Sequence, residues 1–193
     1  MNSKPQNKVA LLLVLLTFTF IWGACQKKYT PKPKAYFRID FPKKEYTPLK
    51  ENYPYRFEYA TNSLIENQKE EPYWINIQYP QYKGTIHLSY KKVNNNVTDY
   101  LEDSRKMVYK HAIKADAINE KLFTNPEKNV YGLLYRIKGN TASSLQFVAT
   151  DSSRHFLRGA LYFMEHPNQD SLAPVIHYIE KDVVHLMNTL SWK

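Results

Sequence analysis

A single cysteine, Cys25, constrains this fold more than any other feature of the sequence. One thiol closes no disulfide within a chain, so whatever follows it must hold by its hydrophobic core alone. The same count removes Cys/His metal clusters and thiol-pair redox chemistry from the available functions. The position of Cys25 adds a second constraint. Lys4 and Lys8 precede an uncharged apolar run from Val9 to Trp22, and Gly23-Ala24 lead into the cysteine. That order reads as a secretory signal with a small-residue cleavage site. A cysteine directly after the small pair gives it the form of a lipoprotein signal, in which Cys25 is acylated and becomes the new N-terminus. Trp22 departs from that form, because Leu is usual at its place. The apolar run is shorter than the roughly 18 residues a spanning helix needs, although extending it to Cys25 leaves an uncleaved anchor as the competing reading.

The chain therefore divides into a signal peptide, 1–24, a lipidated cysteine with a Pro/Lys tether, 25–35, and a single α+β domain, 36–193. Gln26 to Ala35 (QKKYTPKPKA) has no apolar periodicity, and its prolines favour extended backbone. At about 3.1 Å per residue it holds the domain roughly 30 Å from a bilayer. The formal net charge is +9, with lysines scattered rather than striped along one helix. That pattern fits a solvated basic surface, and no nucleic-acid partner is expected.

Along the domain, Tyr36–Phe41 reads as a short strand or extended arm stopped by Pro42, and Tyr55, Phe57 and Tyr59 as the buried side of a strand. Residues 66–72 read as a solvated loop. Tyr73–Tyr79 and Thr85–Tyr90 form a hairpin, with Ile86, Leu88 and Tyr90 facing the core. Between Val97 and Ala115 the period changes: Leu101, Val108, Ala112 and Ala115 share a helical face, with acids first and bases last. Val130–Ile137, Ser144–Thr150 and Phe156–Met164 follow as an antiparallel meander. Gly132 and Gly159 inside those strands mark close approach by bulky neighbours. The last element is a helix from about Leu172 to Leu190, capped by Asp170 or Ser171, with Pro174 in its first turn. Its apolar stripe comprises Leu172, Val175, Ile176, Ile179, Val183, Leu186, Met187 and Leu190. The expected architecture is α+β: an antiparallel sheet of about six strands with a central helix and a C-terminal helix packed on it. The order of elements resembles the Mog1/PsbP-like fold.

Long strings of the domain are similar to one family. PKPKAYFRIDFP (31–42), WINIQYPQYKGTIHLSYK (74–91), YLEDSRKMVYKHAIKADAI (100–118), VYGLLYRIKGNTASSLQFVATDSSRHFLRGALYF (130–163) and DSLAPVIHYIEKDVVHLMNTLSW (170–192) resemble the gliding-motility lipoprotein GldD family of the Bacteroidota. The resemblance implies an envelope lipoprotein needed for gliding, a process tied in that group to type IX secretion, and it carries no reaction with it. Only the acylated cysteine maps, onto Cys25. In that group an acidic run after the cysteine is a surface-export signal. None follows Cys25 directly, so the periplasmic face of a membrane is expected.

Candidate chemistry is sparse. Asp151-Ser152-Ser153-Arg154-His155 brings a serine, a histidine and an acid together, but it lacks a nucleophile elbow and reads as a hairpin turn. His177 and His185 lie too far apart on one helix to share a metal, and the zincin pattern is absent. Asp103 and Arg105 read as surface ion-pairing groups. With only five glycines and no glycine-rich run after a strand, nucleotide binding is unsupported. The sequence therefore points to no catalytic residues, cofactor, metal or small-molecule substrate. The candidate interaction patch is Tyr73, Trp74, Tyr79, Tyr82 and Tyr90, more aromatics than one sheet face buries. The leading reading is a non-enzymatic interaction factor joined to a membrane through acyl chains on Cys25, with other gliding or secretion proteins as partners. A peptidoglycan- or glycan-binding module is the alternative, and an envelope hydrolase the third.

Overall fold

The alternating stretch around residues 75–90 folds as the hairpin its pattern predicts. Strands β5 (Ile75–Tyr79) and β6 (Gly84–Lys92) pair antiparallel across a 3-10 turn at Pro80–Tyr82. Ile75, Ile77 and Tyr79 share a buried face with Ile86, Leu88 and Tyr90. The computed structural model describes residues 39–69, 71–164 and 168–193; the leader, Cys25 and most of the tether-side arm lie outside them.

The hairpin sits inside a seven-stranded sheet. With β4 (Leu64–Asn67), β7 (Ala115–Asn125), β8 (Val130–Gly139), β9 (Ser143–Thr150) and β10 (His155–Phe163), the spatial order is β4-β5-β6-β10-β9-β8-β7. Every neighbouring pair is antiparallel. The sheet has seven strands, against about six expected, because its two edges, β4 and β7, are mostly exposed and rich in polar residues. Glu66 and Asn67, expected in a loop, belong to edge strand β4. Strand β7 was not expected at all.

Two helices flank the sheet. Helix α1 (Val97–Tyr109) buries Ser104 and Val108 against one face, above Tyr135, Val148 and Phe156. It is shorter than its sequence pattern predicts. A 3-10 turn, Lys110–Ile113, follows it, Ala112 is exposed, and Ala115 already pairs with Gly139 as the start of β7. Strand pairing with β8 satisfies backbone groups that a further helical turn around two alanines would leave with little packing.

Helix α2 (Gln169–Thr189) covers the opposite face with Val175, Ile179, Val183 and Leu186, all buried with the β5–β6 side chains in the main core. Each large side chain so buried stabilises by ~1.5–3 kcal/mol before conformational entropy is subtracted. The N-cap is Asn168, whose side chain accepts from the Ser171 amide at 3.3 Å, not Asp170 or Ser171. This earlier start places Pro174 in the second turn.

Two small ribbons close the ends of the chain over α2. β1 (Tyr46–Pro48) pairs with β3 (Glu58–Ala60), and β2 (Tyr55–Arg56) pairs with β11 (Ser191–Trp192). The expected strand through Tyr55, Phe57 and Tyr59 is thus broken at Phe57; Tyr55 and Phe57 are buried, but Ala60 takes the core position in place of Tyr59. Ile39–Phe41 is an extended arm and not a strand, and Phe41 stacks on Tyr178 of α2 at 4.5 Å. Gly159 lies directly across from Phe147, whose ring fills the space a Cβ would need. Gly132 differs from its expected cause: its close neighbour is the Val148 backbone carbonyl, not a bulky side chain.

Candidate interaction surface

The aromatic hairpin divides its side chains between two faces. Tyr79 and Tyr90 are buried in the core. Tyr82 is half-buried against Phe41 and Tyr178 on the α2 side. Trp74, also half-buried, packs against the main core; its indole donates to the Tyr90 carbonyl at 2.8 Å, and Lys91 Nζ stands 6.0 Å from its ring. Tyr73 alone is well exposed, at 44 %. Of the five, Tyr73 is therefore the one that is exposed.

Tyr73 is held in an unusual way. Its φ is +69°, in the left-handed region that costs a bulky L-residue about 1–2 kcal/mol. Its carbonyl accepts from the Tyr55 hydroxyl at 2.6 Å. Edge-on packing against Tyr53 at 6.2 Å and Tyr90 at 5.9 Å fixes the ring. Tyr53 in turn stacks on Tyr55 at 5.3 Å, Tyr55 stacks on Phe57 at 5.8 Å, and the Tyr53 hydroxyl donates to Asn67 at 2.6 Å. Burial pushes the Tyr55 phenol far above its ordinary range, so it stays a neutral donor. Strain of this kind persists where the surroundings over-determine it, and it clusters at functional positions.

A second constellation, absent from the expected sites, anchors the arm that leads in from the tether. Asp182 on α2 is 3 % exposed. It accepts from Lys44 Nζ at 2.6 Å and from the hydroxyls of Tyr46 at 3.1 Å and Tyr79 at 3.2 Å. Lys44 Nζ also lies 3.0 Å from the centre of the Tyr178 ring, and the Tyr178 hydroxyl donates to the Pro42 carbonyl at 3.2 Å. Burial first, and then the Asp182 charge, push the Tyr46 phenol up to about 12. Burial lowers the Lys44 pKa, and the Asp182 hydrogen bond and charge oppose that shift. Next to this lock, His185 stacks on Tyr46 at 3.6 Å and pairs through Nε2 with Glu58 at 2.7 Å. The lock was readable: Val175, Ile179, Asp182, Leu186 and Leu190 recur at helical spacing, so an acid occupies a core position of the stripe.

The Asp151–His155 segment is the turn its composition indicates. The Asp151 carboxylate accepts from the backbone amides of Ser153, Arg154 and His155 at 2.8–3.0 Å, which outweighs its partial burial and lowers its pKa. The imidazole of His155 contacts neither serine. It is buried, with Nδ1 2.8 Å from the Tyr90 hydroxyl and the ring stacked on Trp192 at 5.2 Å. No nucleophile–base pair forms here. His177 is exposed on α2. Asp103 and Glu102 pair with Lys106 on the exposed side of α1, and Arg105 lies 5.3 Å from the Tyr109 ring. Among the described residues no helix is long and apolar enough to cross a membrane. Cys25, the expected lipidation site, lies outside them.

No curated protein matches the chain. The family described as "Gliding motility lipoprotein GldD" matches residues 26–192, nearly everything that follows Cys25. A match of that extent covers both helices, all the described strands and the aromatic hairpin. The chain belongs to the GldD family of gliding-motility lipoproteins, and is accordingly a lipid-anchored envelope protein with a role in gliding.

Proposed function

We propose that this protein is a non-enzymatic assembly or interaction factor for gliding and type IX secretion, held at the periplasmic face of a membrane by acyl chains on Cys25. The observation that carries the reading is Tyr73. A large exposed aromatic on a stacked aromatic base, with its backbone strained and pinned, is a preorganised anchor for a protein partner. The sheet and α2 supply rigidity, and the Asp182 lock holds Lys44 and Tyr46 of the arm against α2. Ser153 donates to Asp151, and the His155 imidazole meets Tyr90 through Nδ1 and stacks on Trp192.

A photo-crosslinking amino acid placed at position 73 in gliding cells tests the contact. A discrete adduct with a component of the gliding or type IX machinery is expected, whereas adducts to lipid alone, or none above a control at Lys138, would reject it. The anchor has its own test. Cys25→Ser should shift the protein from the membrane to the soluble fraction and impair gliding; normal gliding by cells with a soluble protein would exclude a role for the lipid.

A further inference from the structure

The sheet face that carries helix α1 also carries bonded polar side chains, and one buried donor among them is unmet. Register places Glu66 (β4), Asn76 (β5), His87 (β6), Ala160 (β10) and Gln146 (β9) in one cross-strand row, with Gln78, Thr85 and Tyr162 in the next. Within this patch Asn76 Oδ1 accepts from Gln68 Nε2 at 3.0 Å and lies 2.7 Å from His87 Nδ1. Glu66 Oε2 accepts from Asn76 Nδ2 at 2.9 Å and from Gln78 Nε2 at 2.7 Å. Arg158 Nη2 donates to Gln146 Oε1 at 2.6 Å. Gln146 is 1 % exposed, and its Nε2 has no hydrogen-bond partner among the described residues.

A solvated sheet face is ordinarily polar, so polarity alone means little. Two features go beyond it. Bonds between side chains are a small minority in proteins, about 10–15 %, yet here one group of them joins β4, β5 and β6 and another joins β9 and β10. Such ties fix donors and acceptors before a ligand arrives and reduce the ordering cost of binding. A buried amide donor left unpaired is also costly, about 1–3 kcal/mol, and calls for an acceptor from outside.

The chemistry of the patch selects the ligand. One carboxylate, Glu66, and one guanidinium, Arg158, balance each other amid neutral amides, an imidazole and hydroxyls. On a chain of net charge +9 such a patch does not suit anionic lipid or nucleic acid. Amides and carboxylates bridge neighbouring hydroxyls of a sugar. The Tyr162 and His87 rings, edge to face at 5.6 Å, offer an apolar surface to ring C–H groups. The unmet Gln146 donor matches an acetamido carbonyl; because Gln146 is buried, that contact requires Arg158, the long side chain bonded to the same amide, to move aside. We propose that this face binds an N-acetylated glycan strand, with Asn76 and Glu66 on ring hydroxyls, Tyr162 and His87 against a ring face, and Gln146 on the acetamido group. Peptidoglycan is the source within reach of a periplasmic tether, and that choice of source, unlike the chemistry, rests on the placement proposed above.

Calorimetric titration of the full chain in detergent with tetra-N-acetylchitotetraose tests the chemistry. Saturable binding is expected, weakened tenfold or more by Asn76→Ala and by His87→Ala at unchanged melting temperature, and not by Lys138→Ala. Gln146→Met should remove the preference for tetra-N-acetylchitotetraose over cellotetraose. No binding up to about 10 mM, a range reserved for non-specific contact, would overturn the proposal, as would binding that survives Asn76→Ala and His87→Ala or that shows no preference for the acetylated sugar. Co-sedimentation with purified sacculi tests the source; tetrasaccharide binding without sacculus binding would keep the chemistry and reject peptidoglycan. Neither assay contains a protein partner, so failure here leaves the Tyr73 reading standing.

Discussion

Asp182→Ala is expected to destabilise the domain by about 3 kcal/mol, because it breaks a buried ion pair from one side. For a domain of this size that corresponds to a melting temperature lower by roughly 6–12 °C. Three donors lose their acceptor at once. Lys44 keeps a partly open route to water, but the hydroxyl of buried Tyr79 does not. The arm should loosen as well, since Lys44, Tyr46 and Tyr178 converge on this carboxylate or its neighbours. Protease cleavage after Lys43 or Lys44 should therefore accelerate in the variant. The double variant Lys44→Met, Asp182→Leu removes both charges and should recover part of the loss, as apolar replacements of buried pairs commonly do. A single variant that melts with the wild type would mean that the lock contributes nothing to the fold.

Gly159→Ala is expected to cost a similar amount, about 3 kcal/mol, the upper part of the range for overpacking a filled core. An added Cβ overlaps Cε1 and Cζ of Phe147 and comes within 2.9 Å of Leu88 Cδ2. Phe147 and Leu88 are both 1 % exposed, so neither has room to retreat. The glycine and the phenylalanine are directly cross-strand, and the ring lies over the space the glycine leaves. Phe147→Leu should then be destabilising alone but should partly rescue Gly159→Ala. Thermal unfolding of the two singles and the double measures this coupling, and simple additivity would contradict it.

The sequence was most legible where one period dominated. The β5–β6 hairpin carries alternation and α2 a helical stripe, and their buried faces lie where those patterns put them, while the meander is marked by the turn residues between its strands. The failures share a physical cause. Strand β7 is an edge strand with most of its side chains in water, so Asp116, Asn119, Glu120 and Lys121 hide its alternation and blunt the edge against pairing. Helix α1 ends early because non-local pairing of Ala115 with Gly139 outweighs local helix propensity. The ribbon β2–β11 joins residues some 135 positions apart, so no local window contains both partners, and the ribbon β1–β3 is only three residues a side.

At the candidate surface the aromatics could be counted but not aimed. Strand parity separates Trp74 from Tyr79, yet the left-handed backbone of Tyr73 depends on the Tyr55 hydroxyl, eighteen positions earlier in the chain. Asp182 was passed over because an acid in a helix is usually assigned to its wet side; its place in the stripe was the signal. The polar row from Glu66 to Gln146 needed the sheet order itself, since its members come from strands that are not consecutive.

The described domain combines a locked arm with a strained aromatic displayed beside the hairpin. The central claim is that Tyr73 serves a partner and not the fold. Tyr73→Gly separates the two. Glycine adopts φ +69° without strain, which offsets the loss of two edge-on ring contacts worth about 0.5–1.5 kcal/mol each. Stability should therefore change little. The deciding measurement is the spreading of cells whose only copy carries Tyr73→Gly, with membrane-bound protein level and melting temperature checked alongside. The account predicts non-spreading colonies with normal amounts of folded, membrane-bound protein; wild-type spreading under those conditions would contradict it.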